Sequence, residues 1–129
     1  MESEAPAEIR NLIASLFEDF NNRNFAQFAS AFGGDIVIED SSGRWTGPEA
    51  PYHWCRKQLA FIEAIDGSEP TRACHKIVYT QVDDSHAHAV VSATFSFWHH
   101  LQFRCRRSGA RFTFLKQQGK WLVESQLPR

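Results

Sequence analysis

At 129 residues the chain is sized for one domain with a single core, and residues 1–129 are expected to form it. Its 43% hydrophobic content excludes a disordered polymer, and 14 Lys plus Arg against 15 Asp plus Glu, a net charge of −1, exclude a global field able to hold nucleic acid or an anionic membrane. What stands out is 11 Phe, 4 Trp and 2 Tyr, more aromatic volume than a small core requires.

The opening Met-Glu-Ser-Glu-Ala-Pro is acidic and lacks an apolar secretory segment, and no run reaches the ~20 apolar residues of a membrane span. A cytoplasmic protein is the expectation. Ile9, Leu12, Ile13, Leu16, Phe17 and Phe20 then recur at helical spacing and predict a first amphipathic helix. Asn21-Asn22-Arg23-Asn24 breaks it. Asn24 caps a short second helix carrying Phe25, Phe28, Ala29 and Phe32, which Gly33-Gly34 is expected to end. Asp35-Ile36-Val37-Ile38-Glu39-Asp40 alternates as a strand, closed by Ser41-Ser42-Gly43. Thr46-Gly47-Pro48-Glu49 has capping-box spacing and opens a third helix running to about Asp66-Gly67.

The second half predicts strands at about Thr71–Asp83, Ala87–His99, a third beginning near Leu101 or Arg106 and ending at Lys116, and Trp121–Leu127. Turns are expected at Asp83-Asp84-Ser85, Ser108-Gly109 and Gln117-Gln118-Gly119. Along the second of these strands Ala87, Ala89, Val91, Ala93, Phe95, Phe97 and His99 share one face. Helices followed by an antiparallel meander give an α+β class, helices covering one side of a sheet. Cys55, Cys74 and Cys105 are odd in number and scattered, which fits free thiols, buried by default, in a reducing compartment. His86 and His88 share one strand face, whereas the adjacent His99 and His100 diverge; with Asp83 and Asp84 nearby, spacing still fixes no third ligand, and no metal or other cofactor is expected. The basic run Arg104 to Arg111 reads as a solvated hairpin tip.

Three sets of strings, in this order, resemble the nuclear transport factor 2-like superfamily, with its SnoaL-like and ketosteroid isomerase-like domains: Phe32-Gly33-Gly34-Asp35-Ile36-Val37-Ile38-Glu39-Asp40; Trp45-Thr46-Gly47; and Phe112-Thr113-Phe114 followed by Gly119-Lys120-Trp121-Leu122-Val123-Glu124. The resemblance covers nearly the whole chain. It implies a cystatin-like α+β roll: a strongly curved sheet wrapped around three N-terminal helices as a cone, with an apolar pocket inside and homodimers through the outer sheet face. That fold hosts enzymes and non-catalytic adaptors alike, so function must come from the site.

By the resemblance, Asp40 stands where ketosteroid isomerases carry their general base. A carboxylate in an apolar pocket has its pKa raised and can shuttle a proton beside a carbonyl; alternatively Asp40-Ser41-Ser42 is an Asx-type turn that only holds backbone N–H groups. The positions of the family's oxyanion donors are Leu16 and Ala110, neither able to donate a side-chain hydrogen bond. His75 resembles the strand histidine of some SnoaL-like dehydratases, and His99 shares the inward face. Glu124 and Gln126 share a face of the last strand, and an inward Glu124 needs a partner such as His99, His75 or an arginine. Asp40, His75, His99 and Glu124 are therefore the candidate catalytic residues. Leu16, Phe20, Trp54, Phe95, Phe97, Phe112, Phe114 and Gln126 are the candidate pocket lining. The expected function is binding of a small apolar or aromatic molecule, with acid–base turnover of isomerase, dehydratase or cyclase type as one reading. A non-catalytic dimeric ligand-binding or protein-interaction module is the other.

Overall fold

Ile9, Ile13, Leu16 and Phe20 recur at helical spacing and all are buried, so the first helix turns one continuous face inward. The computed structural model describes residues 4–65, 72–99 and 102–128. Within them lie α1 (Glu4–Asn21), α2 (Phe25–Ser30), β1 (Phe32–Asp40), β2 (Gly43–Thr46), α3 (Ala50–Ile65), β3 (Arg72–Val82), β4 (His86–His99), β5 (Gln102–Gln117) and β6 (Lys120–Pro128). The six strands form one sheet in the order β2-β1-β6-β5-β4-β3. All neighbours are antiparallel except β1 and β6, which run parallel. This is the expected α+β cone: α1 lies against β3, α2 and β6, and α3 against β1, β2 and α2, filling the concave side of the sheet.

Asn21 does more than end α1. Its side-chain amide donates to Ala73 O at 2.9 Å and its carbonyl accepts from Ala73 N at 2.7 Å, so it pairs with the end strand β3 as a strand neighbour would. Asn24 caps α2 as expected, its Oδ1 accepting from Gln27 N at 3.4 Å. Phe32 does not belong to α2, as the helical stripe predicted; it opens β1, and Gly33-Gly34 lie inside that strand. Gly34 adopts φ +73°, and a Cβ built there would stand 2.5 Å from Glu124 Oε2 and 2.9 Å from Leu115 Cδ2. Gly34→Ala therefore combines left-handed backbone strain with a clash, and is expected to lower the unfolding free energy by about 1–2 kcal/mol in denaturant titration.

Three further sequence expectations give way. Gly43–Thr46, taken as a turn and a helix cap, forms the short strand β2, because Val37, Ile38, Glu39 and Asp40 pair with Thr46, Trp45, Arg44 and Gly43 in a hairpin. Ser108-Gly109 is no turn. It runs straight through β5, paired with Ala93 and Ser92, since a full-length partner strand supplies the ladder that outweighs a single glycine's local preference. The cysteines divide: Cys55 is buried, and that burial pushes its thiol well up, whereas Cys74 and Cys105 are exposed.

The core sits between the helices and the concave face. On β4 the inward set is Ala87, Ala89, Val91 and Ala93, all buried. These small residues let the helices approach one end of the sheet while leaving room at the other. Among the described residues no helix is long and apolar enough to cross a membrane.

Candidate functional site

A cavity of about 1130 Å³ lies between the helices and the sheet, with Val91, Ala93 and Phe95 of β4 on its wall. It is bounded by α1, α2 and α3 on one side and by β1, β3, β4, β5 and β6 on the other. Leu16, Phe20, Trp54, Phe95, Phe112 and Gln126 from the expected lining all stand on its wall. Phe114 does not. It is 1% exposed and lies in the core, beyond the wall, because Phe112 and the helices cover it. The side chain of Phe97 lies outside the described residues, as does that of His99.

Aromatic packing makes the wall continuous. Trp54 stacks on Phe28 at 6.0 Å between centroids and 15° between planes, and meets Phe20 at 5.9 Å. Phe95 meets the same Phe20 edge to face at 6.0 Å. Rings locked against one another keep an apolar surface in place without collapsing into the space beside it. Leu16 and Ala110 both face this space, so the two positions that the resemblance pairs with oxyanion donors add only apolar surface to it.

Asp40 is the polar pole of the cavity. It ends β1, at the start of the hairpin turn, and its Oδ1 accepts from Ser42 N at 2.7 Å and from Ser42 Oγ at 2.6 Å. Its Oδ2 accepts from Trp54 Nε1 at 2.8 Å and Gln58 Nε2 at 2.7 Å. Trp54 and Gln58 are one helical turn apart on α3, so both reach the same carboxylate. Burial, the largest single influence, pushes the Asp40 carboxyl up; together the hydrogen bonds from Ser42 side chain and backbone, from Trp54 and from the Gly43 backbone outweigh it and hold the carboxyl below its ordinary value. The raised pKa expected from an apolar pocket is thus reversed, since the pocket supplies four donors at this point. The Asx-turn geometry and the cavity position hold at once.

Lys57 and Glu39 complete the rim without touching Asp40. Lys57 Nζ donates to Ser42 O at 2.9 Å and lies 5.2 Å from the Trp45 ring centroid. Glu39 pairs with Arg44 at 3.4 Å across the hairpin. Arg106 and Arg107 also border the cavity, from the strand that replaces the expected hairpin tip. Arg106 is paired with Phe95 and shares its inward face.

Of the other candidate acid–base groups, the two whose side chains are described, His75 and Glu124, do not gather around Asp40. The His75 ring stacks on Phe17, 4.7 Å between centroids, and is not on the cavity wall. Glu124 is separated from Gln126 by a β-bulge: Thr113 pairs with Ser125 and Phe114 with Val123, which leaves Glu124 as the extra residue. Its carboxylate lies over Gly34 and Leu115, outside the cavity, whereas Gln126 pairs with Phe112 and points in. Among the described residues no group of three His, Cys, Asp or Glu could hold a metal ion. Sequence reasoning missed Gln58 and Arg106 as cavity residues. The helical spacing from Trp54 would have found Gln58, and alternation from Phe112 through Ala110 and Ser108 reaches Arg106 once the strand is continuous.

No family model matches the sequence, and no curated protein matches it. Solved structures do match. An NTF2-like protein with a cystatin-like fold from Novosphingobium aromaticivorans is 17% identical with a TM-score of 0.78, covering 96% of this chain and 80% of that one. A hexachlorocyclohexane dehydrochlorinase, LinA-type3, from Novosphingobium barchaimii is 12% identical with a TM-score of 0.79, covering 97% and 85%. A protein from Catenulispora acidiphila, solved in complex with S-DNPA, is 18% identical with a TM-score of 0.71, covering 97% and 92%. At these identities the likeness is one of fold: the chain has the nuclear transport factor 2-like, or cystatin-like, fold.

Proposed function

We propose that this NTF2-like chain is a receptor for a small, largely apolar molecule of aromatic character, taken into the open end of the cone. The observation that carries this reading is the cavity of about 1130 Å³ with a stacked aromatic wall and polar groups set around it, Asp40 and Gln126 among them. Sites for small molecules are built this way, concave and apolar with a few placed polar groups. The S-DNPA complex of the Catenulispora protein and the dehydrochlorinase activity named for the Novosphingobium protein support small-molecule chemistry in cones of this shape.

In this reading Asp40 is a fixed anion that orients Trp54 and Gln58, not a base. A base must have a free lone pair directed at the substrate and a pKa near the working pH. Asp40 has its four acceptor directions engaged and its pKa lowered. His75 stacks on Phe17, and among the described residues no carboxylate contacts its ring to orient it as a proton acceptor.

Nile red, an uncharged aromatic dye, tests the proposal by fluorescence titration. The protein is expected to bind it saturably at one site. Ala93→Trp, which pushes an indole from β4 into the cavity, is expected to weaken binding at least tenfold, while the thermal midpoint stays within a few degrees. Absence of saturable binding, or an unchanged affinity in Ala93→Trp, would overturn the pocket reading.

A further inference from the structure

We infer that Gln126 selects the ligand by chemistry as well as shape: the cavity takes an uncharged aromatic molecule bearing a hydrogen-bonding oxygen, a hydroxyl or a carbonyl, and discriminates against the corresponding acid. The inference rests on the pocket reading above and adds the ligand class to it.

Gln126 is 8% exposed and stands on the cavity wall between Ile38 of β1 and Phe112 of β5. Both of those neighbours are buried apolar side chains, and neither can take a hydrogen bond. No other described residue bonds to the Gln126 carboxamide, in contrast to Gln58, whose amide is spent on Asp40. Among the described residues the buried side-chain atoms left unpaired are Thr80 Oγ1 and Trp121 Nε1, so the Gln126 carboxamide, unbonded to protein, opens onto the cavity, where a ligand that displaces its water must offer it a hydrogen bond or lose affinity. The bulge at Glu124 puts it there: with regular alternation Ser125 would face inward with Val123, and the one-residue insertion turns Gln126 inward in its place. Ser125 instead bonds Thr113 on the opposite face.

The charge preference follows from Asp40. Ile38 lies beside Gln126, and Asp40 is two residues further along the same face of β1. With strands ~4.8 Å apart and ~3.3 Å per residue, the α-carbons of Gln126 and Asp40 are about 8 Å apart. A ligand oxygen on the Gln126 amide therefore shares the wall with an ionised carboxylate, while Lys57, the cation of that rim, is turned to Ser42 O. A second carboxylate is disfavoured there. A neutral hydroxyl or carbonyl is accepted, because the carboxamide offers two donors and an acceptor. Arg106 and Arg107 also line the cavity, but on β5 they lie roughly 16–20 Å along the strand from Phe112, the partner of Gln126, at ~3.3 Å per residue.

Equilibrium dialysis with naphthalene, 2-naphthol and 2-naphthoate at neutral pH separates the two levels of the argument. Wild type is expected to bind naphthalene, to bind 2-naphthol about fivefold to tenfold more tightly, as one added hydrogen bond gives, and to bind 2-naphthoate more weakly than 2-naphthol. Gln126→Leu is expected to keep or improve naphthalene binding and to lose the preference for 2-naphthol. Asp40→Asn is expected to narrow the gap between naphthol and naphthoate. Naphthalene bound without any preference for 2-naphthol in wild type would overturn the role of Gln126 and leave the pocket standing. A preference that survives in a Gln126→Leu protein still able to bind naphthalene would do the same. Failure of all three probes to bind wild type would instead overturn the pocket itself.

Discussion

Phe114→Ala is expected to cost about 3–5 kcal/mol of unfolding free energy, as for other buried phenylalanines, and to lower the thermal midpoint by roughly 10–20 °C. Phe114 is 1% exposed, paired with Ala87 on β4 and Val123 on β6, and stacked on Phe112 at 6.2 Å. It lies where the β5–β6 ladder shifts register, so its removal opens a void at the point where the chain is already irregular. Its partner on β4, Ala87, is too small to fill that void. Phe95→Ala provides the contrast. Phe95 is half-buried and borders existing space, so truncation enlarges a cavity already present and costs less than half as much. Chemical denaturation of the two variants side by side checks the division of the aromatics into core and wall. Equal losses would mean that Phe95 is core as well.

Asp40→Ala is expected to cost about 2 kcal/mol at neutral pH, because it leaves the buried Trp54 Nε1–H and the Gln58 amide without their acceptor. Asp40→Asn is milder, since its remaining carbonyl oxygen keeps part of the donor set. The effect depends on pH with a definite sign. The folded-state pKa of Asp40 is lowered, so its ionised form adds stability that is complete above about pH 4–5, where an unfolded aspartate is ionised. That stability is lost as pH falls through the lowered folded value. Asp83, whose carboxylate is held low by the backbone N–H groups of His86 and Ser85, acts in the same direction. Unfolding midpoints measured from pH 7 to pH 2 should therefore show wild type and Asp40→Ala converging in acid, with part of the acid dependence surviving in the variant. A gap that stays constant down to pH 2 would mean that the carboxylate contributes nothing through its charge.

The two variants also mark the boundary between what periodicity reveals and what it cannot. The helical spacing of Ile9, Ile13, Leu16 and Phe20 and the alternation from Ala87 to Phe95 each need only the chain's own geometry, and both faces are where that geometry places them. The general inventory of wall residues was legible for the same reason. Alternation fails where a strand carries an extra residue. Glu124 and Gln126 share a face by sequence spacing, but the bulge separates them, and a bulge depends on which strand lies alongside and in what register. The same holds for Gly43–Thr46 and Ser108-Gly109, whose turn-forming composition yields to the ladders offered by β1 and β4.

Asp40 shows the limit most sharply. Its place at the end of a strand before Ser41-Ser42 already contained the Asx turn, a contact spanning two residues. The bonds from Trp54 and Gln58 span 14 and 18 residues and exist only because α3 packs against the β1–β2 hairpin. The Trp54 bond adds to the local ones from Ser42 and the Gly43 backbone, and together they reverse the direction of the pKa shift that burial alone predicts. Sequence by itself determined the helical and strand periods and the surplus of aromatic side chains, because these follow from local geometry and composition, while the cone was what the resemblance of its strings to the nuclear transport factor 2-like superfamily implied. Only the tertiary structure decided which of those rings bound a cavity, that its carboxylate is a saturated anion, and that Gln126 rather than Glu124 faces inward. Those outcomes depend on long-range register and on donors brought from elsewhere in the chain.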